Sequence, residues 1–344
     1  MTIHVTGQLP VTTRPRPRSS GTHPYDPSLR VTALGGGHGL YGTLSALRLI
    51  AGEITAVVTV ADDGGSSGRI RQEMDVLPPG DLRMALSALC DDTDWGTTWR
   101  DVMQHRFRSK DGVDGTLDDH ALGNLLIVAL WELLGDPVAG LRWAGALLGA
   151  RGQVLPMSTV PLVMSGTILS EESGALRHQV VHGQAALAEA GRNGRVSHIR
   201  LEPENAPACP EALEAIELAD WVILGPGSWY TSVLPHLMLS EQRDALVNTP
   251  ARRALVMNLT TETTETTGMN AEDHLEVLRT TAPGLALDVI IADPGSVRDH
   301  QSFEEASARL GARVLFSKVG AGSSGAVHDP LRLAVAFQEA FGTS

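Results

Sequence analysis

Two adjacent aspartates, Asp62 and Asp63, open the stretch VADDGGSSGRIRQE. Paired carboxylates directly after an apolar run can bind Mg²⁺, hold a ribose or act as a general base; either one can instead cap the helix that follows. Behind them come Gly64, Gly65, Ser66, Ser67 and Gly68, a run poor in side chains whose backbone N–H groups suit an anion nest. Arg69 and Arg71 follow, and Arg69 is placed to act as a countercharge. A stretch of the same kind precedes it. ALGGGHGLYGTLSALR, residues 33 to 48, sets Gly35, Gly36, Gly37 and Gly39 around His38. Glycine is costly to order, so this density calls for bare backbone. Either the chain turns tightly there, or a phosphate or sugar must approach unpaired N–H groups at a helix start. Gly37, Gly39 and Gly42 spell G-x-G-x-x-G, a weak signature alone, and no GKS or GKT follows to make a P-loop.

Four further stretches carry the same grammar. In LPPGDLRMAL, Pro78, Pro79 and Gly80 force a turn, and Asp81 either caps the next helix or faces a ligand or metal. Arg83 falls in the first turn of that helix, where a cation opposes the helix dipole unless it faces an anion. In DDHALGNLLIVAL, His120 stands at a helix start and Asn124 lies where it can reach into a cleft. In LGPGSWYTSVLP, Gly225, Pro226, Gly227 and Ser228 make another strand-to-helix turn. It is not the GxSxG nucleophile elbow, so Ser228 and Thr231 read as hydroxyl donors to a ligand or as helix caps. In NLTTETTETTGMNAEDHLEVL, Asn258 closes a strand, while Asp273 and His274 open a helix.

These loops need strands to deliver them. LRVTALGGG reads as a buried parallel strand, LYGTLSALRLIAG as a helix stopped by Gly52, and EITAVVTV as a second β-branched strand. That is a β-α-β unit, and it implies a parallel sheet with right-handed crossovers. ADWVILGPGSWYTSVLPHLM repeats strand, glycine loop and helix, and RRALVMNL, LDVIIADPGS and ARVLFSKVG add strands. A helical region runs from GDLRMALSALCDD to the end of LRWAGALLG. The expectation is a Rossmann-like three-layer α/β/α domain over residues 29–344 with a mostly parallel sheet. Residues from about 151 to 215 look more irregular, consistent with a small insertion subdomain, and residues 1–28 read as a disordered tail. In such folds polar loops at the carboxyl ends of the strands gather on one edge, and ligands bind where strand order reverses.

Composition narrows the function. The chain has 344 residues, 42% hydrophobic and 19% charged, with a formal net charge of −13. So acidic a protein is a poor general partner for nucleic acid or anionic membrane, although a local basic pocket can still hold a small anion. The two cysteines, Cys90 and Cys209, lie far apart and outside any CxxC pair, as expected of small core residues in a reducing compartment. No apolar run approaches a membrane span. The N-terminal stretch lacks the apolar region of a signal peptide.

Taken in order, LGGGHGL, VADDGGSSGRIR, PPGDLR, HALGNLL, LGPGSWYTSVLP and NLTTETTETTG followed by EDH resemble the YvcK family, the gluconeogenesis factors, over about residues 30 to 335. More distantly they are similar to CofD, the 2-phospho-L-lactate transferase of coenzyme F420 synthesis. The resemblance implies a cytoplasmic homodimer that binds UDP-sugars, UDP-N-acetylglucosamine above all. It implies a regulatory role in cell shape and wall synthesis on gluconeogenic carbon, with cell-wall enzymes or a Ser/Thr kinase as partners. No reaction is firmly attached to that family. In the CofD-like alternative, a Mg²⁺-dependent phosphoryl or nucleotidyl transferase, the catalytic and metal-binding residues carry over to Asp62 and Asp63. The ligand-binding set is Gly36, Gly37, His38, Gly39, Asp62, Asp63, Gly65, Ser66, Ser67, Arg69, Asp81, Asn124, Gly225, Gly227, Ser228 and Asn258, with no other cofactor expected. His38 departs from the threonine usual in the family, and Met269 falls near a position where an aromatic suited to uracil is common. A dinucleotide oxidoreductase is a third reading, its acidic residue only loosely met by Asp62 or Asp63.

Overall fold

A computed structural model describes residues 25–110, 115–172, 175–190, 195–260, 263, 266, 268–322 and 327–342. The tail expected over residues 1–28 therefore falls outside the described residues up to position 24, while Asp26–Ser28 already belong to the first strand. In chain order the elements are β1 (Asp26–Gly35), α1 (Gly37–Leu47), β2 (Ala51–Val58), α2 (Gly65–Met74), α3 (Gly80–Leu89), α4 (Asp94–Gln104), α5 (Leu122–Leu134) and α6 (Pro137–Leu148). Then come β3 (Gln153–Pro156), β4 (Val163–Glu172), β5 (Ala175–His182), α7 (Gln184–Ala190), β6 (Arg195–Glu202), α8 (Pro210–Leu218) and β7 (Trp221–Leu224). The chain closes with α9 (Pro235–Met238), α10 (Ser240–Asn248), β8 (Arg252–Val256), α11 (Ala271–Thr281), β9 (Val289–Ala292), α12 (His300–Ala308), β10 (Arg313–Phe316) and α13 (Pro330–Gly342).

Seven strands form one sheet in the order β10-β9-β8-β7-β1-β2-β3, and every pairing in it is parallel. Trp221–Leu224 and Val289–Ala292 are buried at every position, as strands covered on both faces must be. The chain leaves β1 toward β2 and β3, then returns to the other side of β1 and proceeds outward from β7 to β10. With right-handed crossovers, that reversal places α1, which packs on α3 and α13, on one face, and α8, α10, α11 and α12 on the other. The architecture is thus the expected Rossmann-like α/β fold.

Residues 151–215 divide into distinct parts. β3 joins the main sheet beside β2, β4, β5 and β6 build a separate antiparallel sheet in the order β5-β4-β6 with α7 against it, and α8 packs back on β1 and β3.

Two local expectations are corrected. Gly52 does not stop α1; the helix ends at Leu47 and Gly52 lies inside β2. A Cβ at Gly52 would stand 2.2 Å from the Pro27 carbonyl oxygen, so the close approach of β1 and β2 explains the glycine. After the glycine turn at 225–228 the chain does not enter an α-helix directly. It makes a π-helical turn over Trp229–Val233, with the Val233 N–H donating to the Ser228 carbonyl (3.2 Å) and the Leu234 N–H to Trp229 (3.0 Å). Pro235 has no N–H to bond the Thr231 carbonyl in the α-helical manner, which favours the wider turn. Among the described residues no helix is long and apolar enough to cross a membrane. Cys90 and Cys209 are buried, and burial pushes the Cys209 thiol up to about 12, an unreactive core residue.

Candidate functional site

Strand order reverses at β1, and the loops after β1 and β7 pack directly on each other there. The Gly225 N–H donates to the Leu34 carbonyl (2.9 Å), extending the β7–β1 ladder by one residue. A Cβ on Gly39 would stand 1.8 Å from the Pro226 carbonyl oxygen, so only glycine lets α1 seat against this turn. Asn258, at the end of β8, clamps Gly227 from both sides. The Gly227 N–H donates to Asn258 Oδ1 (2.8 Å), and Asn258 Nδ2 donates to the Gly227 carbonyl (2.7 Å). Ser228 Oγ is hydrogen-bonded to Thr231 Oγ1, closing the π-helical turn on itself. Beneath the rim lies His236, which the sequence reading missed. Gln242 Nε2 donates to its Nδ1 (2.7 Å), leaving Nε2–H for the Gly35 carbonyl (3.3 Å). Complete burial lowers its pKa to about 4, so it is a neutral positioning group. Its one sequence signal is a histidine interrupting the apolar run LPHLML.

Carboxylates gather on the β2 side. Asp81, in the first turn of α3, accepts from Thr59 Oγ1 (3.3 Å) and faces the Gly37 N–H of α1. Gly36 makes room for it: a Cβ there would lie 2.5 Å from both Asp81 Oδ2 and Thr59 Oγ1. Burial, then the nearby Asp62 carboxylate, pushes Asp81 up to about 6. Asp62 is raised as well, chiefly by burial, although the Gly64 N–H donates to its Oδ1 (3.0 Å) and opposes the shift. Asp62 Oδ2 and Ser67 Oγ both lie beside Gly80, which brings the loops after β1 and β2 and the start of α3 to one edge. Asp63 turns toward the small sheet, its Oδ2 only 2.1 Å from where a Cβ on Gly183 would stand. Arg71 interacts with both Asp62 and Asp63, whereas the exposed Arg69 reaches the Asp118 carbonyl (2.7 Å). Asp62 therefore lies within reach of the charge of both Asp63 and Asp81, and Arg71 is the cation beside Asp62 and Asp63. Thr59, the polar residue inside VVTVADD, was a readable signal for this cluster.

A second group surrounds Ser66. Its Oγ accepts from Asn124 Nδ2 (3.0 Å) and from the Ala121 N–H (3.3 Å), and lies 3.2 Å from His120 Nδ1. Ser66 and Asn124 thus tie α2 to α5 within the core and are not open to a ligand at the rim. His38 and Gly65 are exposed. A Cβ on Gly65 would meet nothing within 4 Å.

What the rim can do follows from its helix starts. α1 and α2 begin at Gly36 and Gly64, with no side-chain cap and no acidic residue in the first turn. Apart from the Gly37 N–H taken up by Asp81 and the Gly64 N–H taken up by Asp62, these first turns carry donors and partial positive charge of the kind that receives phosphate oxygens. Among the described residues no three His, Cys, Asp or Glu groups converge as metal ligands. Asp62 and Asp81 supply only two carboxylates. That suits Mg²⁺, which is commonly held by one or two carboxylates with the remaining ligands from substrate phosphates and water.

The class defined is an α/β protein with a Rossmann-like sheet and a glycine-lined rim at its switch point. The sequence profile of the family described as "2-phospho-L-lactate transferase CofD" matches residues 31–314. A Mycobacterium tuberculosis protein described as "Putative gluconeogenesis factor" is 47% identical over 307 residues, 88% of each chain. The Bacillus subtilis "Gluconeogenesis factor" is 35% identical over 282 residues, 81% of this chain and 84% of the other. A crystal structure of a upf0052 family member from Bacillus halodurans superposes with a TM-score of 0.78 at 31% identity, covering 90% of this chain and 98% of that one. The chain belongs to the CofD-like family and, within it, to the YvcK group of gluconeogenesis factors.

Proposed function

We propose that this protein is a cytoplasmic regulator that binds a UDP-sugar, UDP-N-acetylglucosamine in the first instance, across the rim after β1 and β2. The observation that carries the reading is the pair of glycine-capped helix starts, α1 and α2, brought to one edge beside the β1/β7 switch point. The diphosphate lies against the open first-turn N–H groups, and the Asn258-clamped turn at 225–228 borders the nucleoside or sugar. Tyr230 donates to Met269 Sδ (3.6 Å), so an aromatic ring stands beside the position where the family often carries one. The role in cell shape and wall synthesis, a homodimeric assembly, and cell-wall enzymes or a Ser/Thr kinase as partners belong to the same reading. The threonine-rich segment 260–267 that a kinase would use lies mostly outside the described residues.

A second reading has its own support. The matching family profile is that of a transferase, and the half-buried Asp62 and Asp81 bring two carboxylates near each other at the rim. Mg²⁺ held there would neutralise phosphate charge, and the chain's own contribution would be positioning. Titration of the protein with UDP-N-acetylglucosamine, with and without Mg²⁺, while the nucleotide is followed by chromatography, separates the two. Saturable binding of unchanged ligand with little metal dependence is expected for the regulator. Release of UMP or UDP that disappears in Asp62→Ala would establish the transferase. Absence of binding to any UDP-sugar would end the leading proposal.

A further inference from the structure

Arg83 and Asp81 share the first turn of α3 but leave it in different directions. Asp81 meets Gly36 and Thr59, whereas Arg83 runs between α3, α4 and α5. Its Cδ and Cγ lie 2.8 and 2.9 Å from where a Cβ on Gly123 would stand, so bare backbone at the start of α5 admits the side chain. Arg83 is only 4% exposed, and its Nε has no hydrogen-bond partner. Its side-chain hydrogen bond, from Nη1, goes to the neutral amide oxygen of Gln104. Among the described residues no carboxylate lies within ion-pair distance of it. Burial, reinforced by the like charge of Arg106 and opposed by the Asp81 carboxylate, lowers Arg83 to about 10.

The other deeply buried arginine behaves differently. Arg48 has Asp92 at 2.5 Å and the Ala88 carbonyl at 3.1 Å. A buried guanidinium without a directly bonded counter-ion is unfavourable, and Arg83 is in that state: the Asp81 carboxylate acts on it through space but forms no ion pair with it. A second orphan sits alongside. Asn124, 1% exposed, uses its Nδ2 on Ser66 while its Oδ1 accepts nothing. The start of α5 has no side-chain cap and no acidic residue in its first turn; the Ala121, Leu122 and Asn124 N–H groups donate to Ser66 Oγ, the His105 carbonyl and the Ala121 carbonyl, which leaves the Gly123 N–H as its contribution. Gln104 is half-buried and Arg106 exposed, toward the surface at the end of α4.

We propose that the place between Arg83, Gln104, Arg106 and the Gly123–Asn124 start of α5 is a second anion site, distinct from the glycine rim, that takes one phosphate-like oxyanion. The anion supplies the directly bonded counter-charge that Arg83 lacks, with Arg106, which also holds Asp119 (3.5 Å) and its carbonyl (2.8 Å), on the outer side. A protonated or hydroxyl-bearing edge of the ligand donates to Asn124 Oδ1. Because Asn124 is bonded to Ser66 in the first turn of α2, filling this site bears on the helix start that forms half of the rim.

Inorganic phosphate is the probe, at constant ionic strength with chloride as control, read by calorimetric titration and thermal unfolding. Wild-type protein is expected to bind phosphate and unfold at higher temperature with it. Arg83→Gln should weaken that binding at least tenfold. Gln104→Glu places a carboxylate against Arg83, so it should raise the unfolding temperature without phosphate and abolish the phosphate response. No response in the wild type, or a response that both variants leave intact, overturns the proposal; the latter places phosphate at the rim. UDP-N-acetylglucosamine titrated into the same proteins keeps the two ideas apart. Phosphate binding without sugar-nucleotide binding removes only the function proposed above, and the reverse removes only this site.

Discussion

The two halves of the sheet's carboxyl edge begin their helices in opposite ways. Toward β9 and β10, each start is capped by the chain itself. Asn270 and Asp273 form a reciprocal capping box on α11, Asp299 caps α12, and Asp293 caps the turn after β9 while also accepting from the Val319 and Gly320 N–H groups. Toward β1 and β2, α1 and α2 begin at glycine and carry no such cap. A side-chain cap stabilises a helix by about 1 kcal/mol, so one half uses its helix ends for stability and the other leaves them available. On the reading proposed above, a ligand's negative charge would complete the structure on the uncapped side and be redundant on the capped one.

The contrast can be broken most severely at Gly39. Gly39→Ala forces a Cβ into the Pro226 backbone. It should cost about 3 kcal/mol or more, seen as a large drop in the urea midpoint and loss of UDP-sugar binding together. An alanine variant of near wild-type stability would mean that the β1 and β7 loops are not packed as described.

Asp81 gives the next effect, and it depends on pH. Its folded pKa of about 6 lies above the ordinary 3.8, so the folded state holds this proton more tightly. The stability that the proton contributes is complete below about pH 4 and is lost as pH rises through 6. Asp81→Asn removes that loss. Relative to wild type it should gain on the order of 2 kcal/mol at pH 7.5, and distinctly less at pH 5, by denaturant unfolding at both values. A difference that ignores pH would show that Asp81 ionises normally in the fold.

The smallest stability effects sharpen the comparison best. Asn270→Ala on the capped side should cost about 1 kcal/mol and leave UDP-sugar affinity within twofold. Gly64→Ser installs a cap on α2 and should change stability by only a few tenths of a kcal/mol, yet weaken UDP-sugar binding about tenfold. Equal behaviour of the two variants in calorimetric titration would erase the distinction between the halves.

Much of this was legible in the residues. Apolar runs ending in glycine and polar loops announced a parallel sheet and its rim, because buried strands and their exits have a compositional signature. Asn258 and Asp81 were recognisable as polar residues at strand and helix ends. The partnerships were not. Asp62 and Asp63 are adjacent in sequence, yet the charge of Asp62 also reaches Asp81 while Asp63 stands against Gly183. Gly36 and Gly39 read as bare backbone for a phosphate, but the space a side chain would take at each is filled by Asp81 and Thr59 or by Pro226, so packing also requires glycine there. His236, seated under Gly35 from 201 residues away in the chain, had almost no local signal.

The amino-acid order alone determined which segments become strands, where bare backbone ends them, and that their exits carry carboxyl, amide and hydroxyl groups. Such properties follow from local sterics and burial pattern. Tertiary structure alone decided which exits meet, because the reversal at β1 sets loops from distant parts of the chain side by side. It also decided which buried charge found an ion-pair partner, Arg48, and which did not, Arg83. Pairing depends on what else occupies the space around a group, and that is settled only when the helices and strands have packed.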